Sequence, residues 1–390
     1  MTQLKLNALD AIDDFRLAEL IASPGATSLR VSWGDGTTSV EVPTPEGPQA
    51  GSILAAHDYE GDGLNDAYRI VATASLPGDA TQRAVFTAWF DNLATAGTSY
   101  MGSNLGDALY AGSGADSVSG LGGIDLIHGG AGRDTILGGK GDDWLWGGLG
   151  NDSINAGDGN DIVYADSPFE PGGSDTVRGG RGNDTLYGGV HNDQLFGDGG
   201  DDQVEGDDGN DVIRGGTGND RLLGGAGNDQ LFGDDGDDQI DGGAGNDRLL
   251  GGAGNDRMLG DAGDDVIIGG AGVDIMTGGA GRDLFITDAD GKIDIFVYAG
   301  LDEGGDRIRG FEVAFDWILL PAVLSNFYDV DHFIANSAPV AGGVDGFWVL
   351  YETDTGKLSV DTDGLGGDAS ILLAVLLDRP VLTADNIIFG

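Results

Sequence analysis

An aspartate returns every nine residues through the middle of this 390-residue chain, and it brings a set of oxygen atoms at fixed spacing. The column runs Asp107, Asp116, Asp125, Asp134, Asp143, Asp152, Asp161, Asp175, Asp184, Asp193, Asp202, Asp211, Asp220, Asp229, Asp238, Asp247, Asp256, Asp265, Asp274 and Asp283. That makes 20 units between Gly102 and Ile286, broken once by an insertion at Ala165–Phe169. When the aspartate is called place six, place eight is apolar in every unit, from Leu109 and Val118 to Met276 and Phe285. Place four is glycine except at Leu105 and His191. Carboxylates and backbone carbonyls held in register are hard oxygen donors, which suit a hard cation.

The elements that position these oxygens follow from the same nine residues. Glycines at places one, two and four permit φ > 0 and let carbonyls turn inward without a Cβ clash. Place five is often Asn or Asp, as at Asn219, Asn228, Asn246 and Asp264, the residues that tolerate the left-handed conformation best after glycine. The first six places therefore predict a turn and the last three, such as Arg248-Leu249-Leu250, a very short strand. One apolar side chain per unit makes no core alone, but stacked units build a continuous apolar strip. Stacking at about 4.8 Å brings the aspartates together. Two such charges about 5 Å apart repel by roughly 3 kcal/mol at an effective dielectric near 20. A divalent cation between turns reverses that sign, and a flexible loop offering six or more oxygens favours calcium over magnesium.

"GGAGNDRLL" (Gly242–Leu250) and its siblings resemble the hemolysin-type, or RTX, calcium-binding nonapeptide. The resemblance covers about half the chain. It implies an all-β fold built on a right-handed parallel β-roll with two nonapeptides per coil, so about ten coils and roughly 48 Å of roll. It also implies that multiple Ca2+ ions lie between units two apart. Their ligands would be the place-six carboxylates from Asp116 to Asp283 and turn carbonyls such as Gly130, Gly132, Gly148, Gly150, Gly216, Gly218, Gly225, Gly227, Gly243, Gly245, Gly252 and Gly254. Gly102–Tyr110 departs most from the pattern and reads as a cap. His191 and the insertion interrupt the ions nearest them, while Asp198, Asp207, Asp234 and Asp261 at place two offer extra ligation.

Composition sets the boundaries of function. Acidic residues outnumber basic ones 66 to 19, a formal net charge of −47. A phosphate backbone would be repelled, which excludes nucleic acid, and anionic membrane surfaces are disfavoured too. A chain this charged tends toward disorder. Hydrophobic residues still make up 40% of it, and their periodic placing in the repeats points instead to a fold conditional on counter-ions. There is no cysteine, so neither disulfides nor thiolate metal sites contribute. The opening "MTQLKLNALDAIDDF" lacks a basic stretch before an apolar run, so no N-terminal signal peptide is expected. The apolar run Ile371–Leu377 is far too short to span a bilayer.

The flanks read differently. In residues 1–100, "LRVSWGDGTTSVEV" (Leu29–Val42) predicts a hairpin, and "DAYRIVATASL" and "RAVFTAWFDNL" predict two more strands. With Trp33, Asp35, Gly36, His57 and Tyr59 they resemble a PKD-type immunoglobulin-like sandwich. "DYEGDG" (Asp58–Gly63) faintly resembles a calcium loop, but Arg69 stands where an EF-hand needs Glu. In 287–390, "DRIRGFEVAFDWILL" and "GKLSVDTDG" look like the segments that close the roll in this family. "ILLAVLL" with "LTADNIIFG" resembles its uncleaved C-terminal export region, which implies type I secretion machinery as a partner and an extracellular location.

No catalytic signature accompanies these features. H-E-x-x-H, G-x-S-x-G and a P-loop are absent, and His57, His128, His191 and His332 are scattered. His128 and His191 lie inside repeats, where an exposed or turn role is expected. Acidic pairs such as Asp142-Asp143 fall within repeat turns. Two classes stay open: a non-catalytic, secreted calcium-binding protein with an adhesion, surface or matrix role toward cell-surface or extracellular polysaccharide or protein, and a secreted hydrolase of unrecognised site. A cleft with convergent polar groups in 1–100 or 287–390 would favour the second, and a filled sandwich core with no cleft would count against it.

Overall fold

In the computed structural model, residues 97, 99–166, 172–300, 303–320, 348–361 and 370–389 are described, along with strand backbone at 5–8, 16–21, 28–32, 38–41, 52–57, 66–75, 81–90 and 333–336. The described chain is all-β, and its one helical turn is the 3-10 segment Ala384–Asn386. Among the described residues no helix is long and apolar enough to cross a membrane. The chain divides into two compact units, Met1–Pro171 and Gly172–Gly390.

The first unit contains four solenoid turns. One parallel ladder joins Ser99–Met101, Ser117–Ser119, Thr135–Lys140 and Ser153–Asp158. The other joins Ala108–Tyr110, Leu126–Ala131, Trp144–Leu149 and Ile162–Asp166. The register pairs each residue with the one two nonapeptides later, as in Ile127↔Leu145. Ahead of these turns, Thr81–Phe90 pairs in parallel with Ala108–Tyr110 and antiparallel with Asp66–Ser75. The hairpin expected at Leu29–Val42 is present as backbone, with Leu29 opposite Glu41 and Ser32 opposite Thr38. The side chains that marked a PKD-like sandwich, and the Asp58–Gly63 loop, lie outside the described residues.

The second unit contains eight solenoid turns. Thr176–Arg181, Gln194–Gly199, Val212–Thr217, Gln230–Asp235, Arg248–Ala253, Val266–Ala271, Leu284–Ile286 and Asp306–Arg309 make one parallel ladder. Thr185–Val190, Gln203–Asp208, Arg221–Ala226, Gln239–Ala244, Arg257–Ala262, Ile275–Ala280, Ile295–Val297 and Trp317–Leu320 make the other. The C-terminal segment then adds a strand to each ladder. Ile371–Leu376 pairs with Asp306–Arg309, and Ile387–Phe389 with Trp317–Leu320. Buried Asn386 fastens it, donating to the carbonyls of Val313 and Asp316 at 2.9 and 3.1 Å.

The place-eight side chains are the core. Ile127, Leu145, Leu195, Leu222, Leu249, Met276 and Phe285 are fully buried, and each such burial contributes about 1.5–3 kcal/mol. The strands are longer than the sequence reading allowed. Most span six residues, from place seven through place three of the next unit, as in Arg221–Ala226. Places one to three therefore belong to the sheet, and Gly225 pairs with Gly243 in register. Only places four to six turn.

Candidate metal centre

Every place-six aspartate from Asp107 to Asp283 is buried, 3% exposed or less. Each turn places it at the end of a three-residue corner, just before the strand whose place-eight residue fills the core. One carboxylate oxygen, Oδ1, is used structurally. It accepts the backbone N–H of the aspartate one turn earlier, as from Asp125 to Asp143, Asp229 to Asp247 and Asp238 to Asp256, at 2.8 to 2.9 Å. The other oxygen has a different fate. In Asp125, Asp134, Asp143, Asp202, Asp211, Asp220, Asp229, Asp238, Asp247, Asp256, Asp265, Asp274 and Asp283, Oδ2 is buried and accepts no hydrogen bond.

The glycines build the space around that oxygen in two ways. Places two and four take positive φ, for example 107° and 147° at Gly225 and Gly227, 93° and 143° at Gly243 and Gly245, and 118° and 146° at Gly252 and Gly254. Gly130, Gly132, Gly148, Gly150, Gly216 and Gly218 do the same. Place one does not, contrary to the sequence reading. Its glycine is required for room: a Cβ on Gly251 would lie 2.2 Å from Oδ2 of Asp256 and 2.4 Å from the Gly269 carbonyl. At place four the carbonyls stack in file, so that a Cβ on Gly254 would meet the carbonyl oxygen of Gly236 at 1.9 Å. His191 takes the glycine's left-handed path, with φ 79°.

Burial is the main electrostatic fact. It pushes the Asp143 carboxyl up to about 8, opposed by the N–H of Asp125 and helped by Asp125, Asp161 and Asp142. Asp125, Asp152, Asp202, Asp211, Asp256 and Asp265 rise to about 7 for the same leading reason. Carboxyls at 6 to 8 in the fold and 3.8 in the unfolded chain bind more protons when folded, so metal-free stability falls as pH rises through roughly 4 to 8. A divalent cation must displace those protons. Calcium titration of unbuffered protein at pH 7 is therefore expected to acidify the solution, and the calcium needed for half-saturation to rise as pH falls from 8 to 6. A pH electrode and titrations at two pH values check both.

A second, exposed ladder runs the opposite way. Place-five side chains accept from the next turn, as Asn228 Oδ1 does from the Asn246 N–H and Asn219 Oδ1 from the Asp237 N–H. Corners in the second unit are thus clamped from both sides.

The structure adds residues that the nine-residue frame missed. Asp294, Asp306 and Asp316 are buried and continue the inner ladder, accepting from Asp274, Asp283 and Asp294 at 3.2, 2.8 and 3.1 Å. Their spacings of 20, 23 and 22 residues break the period. The surviving signal is an aspartate two places before a core residue, as in Asp294-Ile295-Phe296. At the rim the second oxygen is closed internally: Asp316 Oδ2 accepts the Glu312 N–H at 2.7 Å, and Asp107 Oδ2 that of Ser103.

Two expectations are corrected. Place-two Asp198 and Asp234 pair with Arg178 and Arg214 at 3.1 and 3.3 Å on the outer surface, instead of turning to the ladder. Each arginine also lies 4.3 Å over a ring, Phe196 or Phe232, which fixes its reach. His128 is neither exposed nor in a turn; it is half-buried between Tyr110 and Trp146.

The buried, partnerless Oδ2 atoms and the filed carbonyls are an oxygen-only donor set, the kind calcium takes. Comparison with known proteins agrees. The family model of the RTX calcium-binding nonapeptide repeat (4 copies) matches overlapping stretches that cover 101–167 and 172–285. No curated protein sequence matches the chain. The solution structure of the AlgE6R3 subunit of the Azotobacter vinelandii mannuronan C5-epimerase is 27% identical over 39% of this chain and 79% of its own, with a TM-score of 0.14. The crystal structure of pectate lyase PelI from Erwinia chrysanthemi with tetragalacturonic acid is 13% identical over 100% and 99%, with a TM-score of 0.15. Superpositions that poor carry nothing about substrate to this chain.

Proposed function

Because residues 101–285 belong to the RTX calcium-binding nonapeptide repeats, a block that binds several Ca2+ ions, we propose that the chain is a secreted, non-catalytic protein whose solenoid sets on calcium outside the cell and serves an adhesion, surface or matrix role. The observation that carries this reading is the row of buried carboxylates whose second oxygen no protein group satisfies. Place-six aspartates from Asp116 to Asp283 would hold the ions together with place-two and place-four carbonyls. Calcium supplies positive charge between turns that otherwise repel. The protein's own residues do the rest: Oδ1 fixes each carboxylate against a backbone N–H, glycine clears space beside Oδ2, and the apolar strip excludes water.

In this reading residues 1–100 form the presented domain, 101–286 the calcium-set stalk and 287–390 the cap and export region. The segment assigned to export is also the one that closes the second unit, through Ile371–Leu376, Asn386 and Ile387–Phe389. It is open to a type I channel only while the chain is unfolded, which low cytosolic calcium permits. The test is expression in a host with a type I system, with full-length chain and chain lacking residues 371–390. Full-length protein is expected outside the cell and held at the cell surface or matrix in calcium; the truncated chain is expected to stay inside. Export of the truncated chain would overturn the secretion reading, and free release of the intact chain in calcium would overturn the surface role.

A further inference from the structure

We propose that the outer face of the ladder containing Trp144, in the first unit, binds an uncharged linear polysaccharide laid along the solenoid axis. Places seven and nine of a strand point away from the core, since place eight is buried. On Ala108–Tyr110, Leu126–Ala131, Trp144–Leu149 and Ile162–Asp166 these places hold Ala108, Leu126, Trp144 and Ile162 in one file and Tyr110, His128, Trp146 and Tyr164 in the next. None of them is Asp, Glu, Lys or Arg, and His128 is half-buried between the rings of Tyr110 and Trp146. In a chain of net charge −47 this is a neutral window. The same places on four strands of the second unit hold Gln203, Glu205, Arg221, Gln239, Asp241 and Arg257 beside Leu223 and Leu259, so solenoid geometry does not require apolar residues there.

The rings form one continuous file. Tyr110 to His128, His128 to Trp146 and Trp146 to Tyr164 have centroids 4.9, 6.5 and 5.7 Å apart, and Trp144 stands 6.1 Å from Trp146 at 43°. Trp144 is the most open, 45% exposed. Each ring is held by its neighbours, so a ligand meets a surface that needs little ordering. One ring per turn over four turns suits an extended ligand.

Charge selects the occupant. A second copy, a nucleic acid or a uronate polymer would bring negative charge toward a molecule already strongly negative. A cationic peptide would be drawn to the acidic corners and away from the neutral window. A neutral pyranose chain brings an apolar C–H face to the open Trp144 ring and a hydroxyl to its indole N–H, the amphipathic match that Trp offers. This inference rests on the surface role for its setting, and gives that role a molecular contact.

The test is affinity electrophoresis of the purified full chain in calcium, through gels holding hydroxyethylcellulose, glucomannan or pullulan, with polygalacturonate as the anionic comparison. Retardation by at least one neutral polymer is expected, about tenfold weaker in Trp144→Gln and retained in Trp144→Phe, with an unchanged calcium midpoint in both. No retardation by any neutral polymer, equal retardation of Trp144→Gln, or stronger retardation by polygalacturonate would each overturn the proposal. So would sedimentation showing a dimer that Trp144→Gln converts to monomer, which would give the face to a second copy. The assay uses purified protein, so its failure leaves the secretion and surface-retention experiment standing, and the reverse also holds.

Discussion

In chelator the repeat block is expected to lose its β structure, and calcium is expected to restore it in one steep transition that magnesium does not reproduce. Thirteen aspartates among the described residues bury an Oδ2 that accepts no hydrogen bond. Leaving a buried polar atom unsatisfied costs about 1–3 kcal/mol, more when it is charged. Neighbouring charges stacked at strand spacing add roughly 3 kcal/mol per contact at an effective dielectric near 20. Such penalties, repeated along a solenoid, exceed the 5–15 kcal/mol by which an ordinary domain is stable. Each site held at about ten times its Kd returns roughly 1.4 kcal/mol, and more as calcium rises. Because each turn contacts only its neighbours, sites couple through shared folding, which makes the transition steep. Magnesium demands near-ideal octahedral geometry and sheds water reluctantly, so a cradle of carbonyls and carboxylates suits it poorly. Far-UV circular dichroism with calcium and magnesium titrated separately checks this. A chain fully folded in chelator would mean that protons or protein groups already neutralise the ladder, and the switch would be lost.

Much of this ladder was legible in the sequence because its constraints are periodic. Asp229 and Leu231 recur at the same offset in every unit, so the buried carboxylate and the buried core residue could be read off as one phrase. The two-unit turn was implied by the resemblance to the RTX nonapeptide and not by the period itself, and the register Arg221↔Gln239 realises it. Less legible was the reason for each glycine. Gly251 and Gly252 look alike in sequence, yet the first clears space for a side-chain oxygen and the second adopts φ 118°. Spacing alone cannot separate a steric need from a conformational one. Strand length was underestimated for a related reason: a Gly-Gly pair reads as a turn, whereas here it continues a sheet whose neighbours are also glycine. The outer surface was the least legible. Arg178, Phe196 and Asp198 meet only because strands two nonapeptides apart are adjacent, and no local pattern announces the pairing. Asp294 and Asp316 escaped because insertions shifted them off the period while the fold kept them in the ladder.

Alanine at Gly251 and at Gly254 is expected to separate the two duties of glycine and to damage calcium binding in different ways. At Gly251 the backbone is acceptable for any residue, so the whole effect comes from the Cβ pressing on Asp256 Oδ2 at 2.2 Å and the Gly269 carbonyl at 2.4 Å. Overpacking of this kind costs about 1–3 kcal/mol, and here it falls on an oxygen assigned to the ion. The calcium midpoint is expected to rise several-fold, with the local corner losing protection in hydrogen exchange while distant turns keep theirs. At Gly254 the Cβ would meet the Gly236 carbonyl at 1.9 Å, and φ of 146° is closed to alanine as well. Neither neighbour is a flexible side-chain tip, so the backbone itself must move. The larger loss is expected there, with hydrogen exchange breaking the second unit into two weakly coupled stacks. Ala253→Ser, at an exposed place-three residue between them, is the control and is expected to change neither quantity. If Gly251→Ala titrated like that control, the space beside Oδ2 would not be reserved for the carboxylate, and the ligand role given to Asp256 and its fellows would lose its steric support.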